Sequence, residues 1–175
     1  METDFAAALG AWDAFFATVA GISATLVGLL FVAIGLNPRI MADDGPTGLR
    51  VWSGFTFHSF LVLLVIGIVG LVPVSARETL SITLVILGAQ GVARVVDDIR
   101  RVRADPDRTW SGWHALMRFA APGIAYVLCL WVAYGSASND PDELGWLVAV
   151  VFLLLISALA SCWQLLKVIG DRQRV

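Results

Sequence analysis

Charged residues are scarce in this chain of 175 residues and make up only 15% of it. Typical soluble domains carry about 25% charged residues, whereas this sequence is 58% hydrophobic and its mean hydropathy is +0.81. A separate soluble module is therefore excluded, and residues 1–175 are expected to form a single membrane domain. The net charge of −2 is too balanced for a nucleic-acid-binding protein, so we expect no nucleic acid partner.

Histidine and cysteine are also rare, with two of each. His58 and His114 have no spacing to the cysteines that is typical of metal ligands. Cys129 and Cys162 both fall inside apolar stretches, and nothing in the sequence indicates the close approach that a disulfide needs. The chain also lacks a nucleophile with a nearby base and a paired-carboxylate site. We therefore predict no metal, no cofactor and no enzymatic activity.

Five long apolar stretches dominate the sequence. A helix of about 20 apolar residues crosses the ~30 Å hydrocarbon core of a bilayer, and each stretch approaches or exceeds that length. They cover roughly residues 14–36, 51–73, 79–96, 116–135 and 145–168. The pattern predicts an all-α integral membrane protein with five transmembrane helices and the lipid bilayer as its solvent.

The basic residues predict the orientation of these helices. Eleven of the twelve are arginine, a bias that indicates a GC-rich bacterial genome. When the five stretches are threaded through a bilayer, Arg77 alone falls on one side and the other eleven basic residues fall on the opposite side. An excess of Lys and Arg in short loops marks the cytoplasm. We therefore predict a multi-pass protein of the inner membrane, with its N-terminus outside and its C-terminus in the cytoplasm.

The third stretch is followed by charges at helical spacing. Asp97 and Arg100 are three residues apart, and further opposite pairs between residues 94 and 101 are four apart. Such spacings place side chains next to each other on one helix. We therefore predict that the third helix continues to about Arg103, and that residues 97–113 form a cytoplasmic helical extension and loop.

The first stretch carries a seam of small residues, here called the small-residue seam. Its members follow one another at alternating intervals of four and three residues: Ala14, Thr18, Gly21, Thr25, Gly28, Val32 and Gly35. Lipid supplies no hydrophobic drive for helices to associate, so association depends on the close backbone approach that small residues permit. The seam therefore predicts a helix–helix contact.

Two arrangements satisfy this seam. In the first, it packs inside the monomer, with the first helix central in a five-helix bundle. In the second, it faces its own symmetry mates, either as a tight contact or as a pore lining in which Thr18 and Thr25 offer hydroxyl oxygens to ions. Asp13, one turn before the seam, then forms an acidic ring at the outer mouth that suits cations. Alternatively, Asp13 only complements the helix dipole.

Three further polar residues lie inside the predicted spans, where ionisable groups are costly and often functional. His58 is about six residues inside Trp52, or roughly 9 Å at 1.5 Å per residue. It either titrates and relays protons or stays neutral and hydrogen-bonded at a helix contact. Gln90 and Arg94 are four residues apart on the third helix. They either anchor the helix end, with Arg94 reaching the interface, or line a polar inner vestibule.

These features predict a small bacterial inner-membrane protein that forms a homo-oligomeric ion channel or pore. The first helix stands at the symmetry axis, and Asp13, His58, Gln90 and Arg94 are the candidates for gating. Its partners are expected to be other copies of the chain and an inorganic cation. The alternative is a non-conducting accessory or scaffold subunit that packs against a partner through the first helix.

Overall fold

The computed structural model describes residues 10–36, 47–72, 76–104, 112–138 and 144–172. It contains five α-helices, which confirms the all-α prediction. In chain order they are α1 (Asp13–Leu36), α2 (Thr47–Gly70), α3 (Ala76–Ala104), α4 (Gly112–Ser138) and α5 (Trp146–Arg172). The part of the predicted extension and loop at residues 105–111 lies outside the described residues.

Long apolar windows support the prediction of a membrane protein. Four of the helices contain windows that are long and apolar enough to cross a bilayer: Asp13–Leu36, Glu78–Arg101, Phe119–Ala137 and Trp146–Trp163. The described apolar part of α2, Gly54–Gly70, is shorter. The window on α3 includes the third stretch, which was the shortest apolar stretch in the sequence.

Neighbouring helices pack antiparallel. Phe16, near the start of α1, packs at Gly70 at the end of α2. The Phe31 and Phe57 rings meet edge to face, with centroids 5.4 Å apart, where α1 ends and α2 begins. The bundle therefore has an "Asp13 end" and a "Leu36 end". The extensive contacts join α1 to α2, α2 to α5, α5 to α4 and α4 to α3, whereas α2 and α3 touch less.

The core lies between α2, α4 and α5, and fully buried apolar side chains from these helices fill it. They include Phe60, Leu63 and Ile66 of α2, Val132 of α4, and Leu147 and Leu154 of α5. The side chains of α2 and α4 also meet directly, because Phe55 and Phe119 pack edge to face with centroids 6.4 Å apart.

The α3 helix continues to Ala104, which confirms the predicted helical extension to about Arg103. Its charged residues form one of the expected pairs, with Arg100 Nη1 3.7 Å from Asp97 Oδ1. Both side chains are more than half exposed, so the pair contributes at most about 1 kcal/mol to stability.

The expectation that α1 is central in the bundle is wrong. Among the described residues, α1 packs extensively on α2 alone, and its apolar window has the smallest buried share of the four candidate spans. The physical reason is that α1 docks through a single face, while the other extensive contacts join α2 to α5, α5 to α4 and α4 to α3.

Candidate functional site

Helix α1 has two opposite faces. Its buried residues are Phe16, Val19, Ser23 and Leu30, and they lie on the side that contacts α2. With 3.6 residues per turn, the small-residue seam falls about half a turn away from this buried face. The seam therefore points away from the rest of the monomer.

The buried face docks on glycines of α2. A Cβ at Gly67 would lie 2.7 Å from Ala20 N and 2.9 Å from Ala20 Cα, and a Cβ at Gly70 would overlap the Phe16 ring. Only glycine lets these two helices approach so closely. The close small-residue contact of α1 inside the monomer is thus made by Ala20 on Gly67, and not by the seam.

All seven residues of the small-residue seam are exposed. A Cβ at Gly21, Gly28 or Gly35 would meet no atom within 4 Å. These glycines weaken the helix by roughly 0.5–1 kcal/mol each relative to alanine. Among the described residues nothing occupies the space beside these glycines, so the seam is an exposed strip of small residues on the surface of the monomer.

The two threonines of the seam make local hydrogen bonds. Thr18 Oγ1 donates to Ala14 O at 2.7 Å, and Thr25 Oγ1 donates to Gly21 O at 2.9 Å. Each hydroxyl proton is thereby satisfied within α1, which lets the helix face lipid without an unpaired donor. The hydroxyl oxygens keep their acceptor lone pairs on the exposed surface.

Asp13 stands at the start of this surface, exposed in the first turn of α1. Large apolar residues flank the seam on the side of Ile22 and Leu29, and both are exposed. A neighbouring copy packed on the seam would therefore also bury these flanking side chains. The seam is narrow, and its acidic residue lies at one end only.

A second candidate site, formed by two polar residues, lies inside the bundle. His58 of α2 is only 5% exposed and Tyr126 of α4 is fully buried, with ring centroids 6.2 Å apart. Neither His58 Nε2 nor the Tyr126 hydroxyl has a hydrogen-bond partner. An unsatisfied buried polar atom costs about 1–3 kcal/mol, so these two atoms are a costly feature of the core.

Ser59 lies beside this pair but forms no hydrogen bond with His58 Nε2 or the Tyr126 hydroxyl. Its hydroxyl is committed to Phe55 O, to which it donates at 3.0 Å. The Tyr126 hydroxyl is close enough to Ser59 to interact with it, but the geometry falls short of a hydrogen bond. A weak contact of this kind does not replace a full hydrogen bond.

Gln90 and Arg94 lie on the exposed surface of α3. Arg94 is nevertheless close enough to act electrostatically on both His58 and Tyr126, and Asp98 also acts on Tyr126. The structure therefore places Arg94 of α3 within electrostatic range of His58 of α2, and leaves Thr18, Thr25 and Asp13 on the separate surface of α1.

Tyr126 is the residue that the sequence analysis did not single out. It sits in an apolar stretch, and the hydropathy pattern does not distinguish it from its neighbours. The sequence signal that could have identified Tyr126 is the pair of glycines Gly88 and Gly91 on α3. A Cβ at Gly91 would overlap the Tyr126 ring, and a Cβ at Gly88 would lie 3.1 Å from Tyr126 O. Two glycines three residues apart in a helix indicate a bulky partner on the next helix.

Other features offer less chemistry. An apolar groove of about 410 Å³ between α3 and α4 is lined by Val95, Ile99, Phe119, Ala120, Gly123, Ile124, Val127 and Leu128. Both cysteines are free thiols. Within the part of the chain that the structure describes, no group of three or more His, Cys, Asp or Glu residues could hold a metal ion.

Comparisons of the chain with protein-family models, with curated proteins and with solved structures found no significant match.

Proposed function

We propose that the protein is a homo-oligomeric ion channel of the bacterial inner membrane, with α1 from each copy at the symmetry axis. The observation that supports this proposal best is the exposure of the entire small-residue seam, on the face of α1 opposite its contact with α2. Closed rotational symmetry is the usual way in which several copies bring one surface to a common axis.

The polar atoms of the seam suit cations. Thr18 and Thr25 donate their protons to the backbone of their own helix, so their oxygens offer lone pairs to the axis. Rings of such oxygens can replace part of an ion's hydration shell. With the N-terminus outside, Asp13 forms an acidic ring at the outer mouth that attracts cations.

A non-conducting scaffold is the second candidate. The same hydrogen bonds favour it, because a threonine whose proton is satisfied by its own helix can pack in a dry contact. Glycines at intervals of seven residues, at Gly21, Gly28 and Gly35, also suit helices that touch along their length and leave no lumen. In this arrangement the seam joins two copies, or one copy and a partner helix.

The first experiment measures the oligomeric state in mild detergent. Gly28→Ile places a branched side chain on the seam, where the monomer has free space, so the expected result is dissociation of an oligomer into folded monomers. Gly54→Ile is the matched control, since a Cβ at this helical glycine also meets nothing within 4 Å. A wild-type protein that is monomeric at all concentrations would rule out both a lined pore and a self-associating scaffold.

The second experiment separates conduction from scaffolding. Thr25→Cys is introduced with Cys129→Ala and Cys162→Ser, and cation flux into proteoliposomes is followed before and after thiol modification. A channel lined by α1 is expected to lose most of its flux on modification, whereas a scaffold gives no flux at any stage. Flux that continues unchanged after confirmed modification of Thr25→Cys would remove α1 from the pore lining.

A further inference from the structure

We propose that His58 and Tyr126 form a water-binding site inside the bundle, which is hydrated through a polar vestibule that opens at the Leu36 end. This site is separate from the α1 surface, and the proposal does not depend on whether the protein conducts ions. The ligand is water, which hydrogen-bonds to His58 Nε2 and to the Tyr126 hydroxyl.

The first support is the pair of unsatisfied atoms. His58 Nε2 and the Tyr126 hydroxyl are both buried and both lack partners, and they belong to rings 6.2 Å apart. Buried polar groups that find no protein partner are normally satisfied by ordered water. Two such groups on facing helices supply the two or more hydrogen bonds that hold a buried water molecule.

The position of the pair within the bundle is the second support. The Tyr126 ring rests on the bare backbone of Gly91, so α2, α3 and α4 meet here. Intramembrane polar side chains usually face the interior of a bundle or a water-filled cavity. The His58–Tyr126 site is enclosed by three helices and places a phenol beside an imidazole, so its polar side chains face the interior of the bundle.

The third support is a polar row on α3 that leads away from the site. Gln90, Arg94, Asp98 and Arg101 follow one another at intervals of four, four and three residues, so they share one side of the helix. Asp98 is half-buried, while the other three are exposed. Arg94 acts electrostatically on His58 and Tyr126, and Asp98 interacts with both Arg94 and Arg101.

This row runs from the level of Gly91 to the Leu36 end of α3, and α2 and α3 touch each other less than the other packed helix pairs do. Charged side chains inside a hydrocarbon layer are stabilised when water reaches them. The row therefore provides a hydrated path between the Leu36 end and the His58–Tyr126 pair, and gives Gln90 and Arg94 a role as the lining of the vestibule.

The test is the reactivity of a cysteine at Ser59, a fully buried neighbour of the pair. Ser59→Cys is nearly isosteric, so it probes water access without opening a cavity. The background carries Cys129→Ala and Cys162→Ser, and the probe is a charged, water-soluble methanethiosulfonate applied to both sides of proteoliposomes. The matched control is Ala133→Cys on α4, a small residue that is only 1% exposed and lies in the Asp13 half of the bundle.

We expect Ser59→Cys to react at least tenfold faster than Ala133→Cys. We also expect Tyr126→Phe to lower the unfolding temperature by about 2–4 °C, because it removes a water-mediated hydrogen bond. Equal rates at the two cysteines would overturn the proposal. If Ser59→Cys does not fold, Tyr126→Phe decides: an unchanged or raised unfolding temperature would show that the hydroxyl has no water partner and that the site is dry.

Discussion

Gly67→Ala tests the contact by which α1 is attached to the rest of the protein. The added Cβ would lie 2.7 Å from Ala20 N and 2.9 Å from both Ala20 Cα and Cβ. Favourable contacts between carbon atoms lie at about 3.5–4.0 Å, so α1 and α2 must separate by roughly 1 Å at this point. The obstructing atoms are mainly backbone, and they cannot move aside as the end of a flexible side chain could.

The expected magnitude is the difference between two effects. Overpacking a tight contact costs about 1–3 kcal/mol, while replacing a helical glycine by alanine returns about 0.5–1 kcal/mol. A net loss of roughly 1–2 kcal/mol remains, which for a chain of this size lowers the unfolding temperature by about 2–8 °C. In a detergent that dissociates the protein into monomers, Gly21→Ala on the seam gives the opposite sign, because its Cβ meets nothing within 4 Å of the monomer and only the helix-propensity gain applies.

Thermal unfolding of the two variants in the same detergent, followed by circular dichroism, checks this prediction. The signs are more informative than the sizes, because both substitutions add one methyl group to a helical glycine. If Gly67→Ala unfolds at the same or a higher temperature than the wild type, then α1 does not approach α2 closely at Ala20, and the assignment of the two faces of α1 would have to be reversed.

Three further substitutions test other parts of the bundle by the same thermal assay. Gly91→Ala drives a Cβ into the Tyr126 ring and should cost about 1–3 kcal/mol; a neutral result would contradict the close packing of α3 on α4. Cys129→Ser buries a hydroxyl at a fully buried position and should cost about 1–3 kcal/mol, and a stabilised variant would show that a partner for the hydroxyl is present. Asp97→Asn breaks an exposed pair with Arg100 and should change stability by less than about 1 kcal/mol, so a larger loss would place that pair in a buried network.

The helices themselves were predictable because hydrocarbon thickness sets their length. The predicted stretch 14–36 became Asp13–Leu36, and 145–168 became Trp146–Arg172. The extension of α3 was equally accessible, since Asp97 and Arg100 are neighbours on any helix and do pair. These features depend only on the spacing of residues along the chain and on the bilayer as solvent. The first can be read directly from the sequence, and the second is indicated by its hydrophobic composition.

The inward face of α1 was not predictable in the same way. Small residues recur on more than one side of this helix, and Ala20 belongs to a row beside the seam. Which row packs inside depends on the partner surface, and here Gly67 and Gly70 of α2 accept the row that carries Phe16 and Ala20. A contact of this kind depends on the complementarity of two surfaces, whereas the sequence pattern describes one surface at a time.

His58 illustrates the same limit for polar groups. Its sequence context predicted a hydrogen-bonded or titrating histidine, but its neighbour proved to be Tyr126, which lies 68 positions away in the chain and carries no polar signature in a hydropathy pattern. The glycines of α3 that admit the Tyr126 ring come from yet another helix. Because three helices contribute to this site, each contributes only isolated residues, and no local sequence motif marks the site.

The two candidate sites occupy different parts of the molecule, and this separation has a consequence for function. The seam lies on the face of α1 opposite its contact with α2, which is the extensive contact of α1 among the described residues, while the His58–Tyr126 pair lies where α2, α3 and α4 meet. A seam that closes into a dry contact would leave the interior site as the candidate polar site of a scaffold. A seam that lines a pore would make the interior site a separate hydrated pocket. The flux measured with Thr25→Cys and the reactivity of Ser59→Cys therefore report on independent properties, and together they distinguish an oligomeric pore from a scaffold with a hydrated interior.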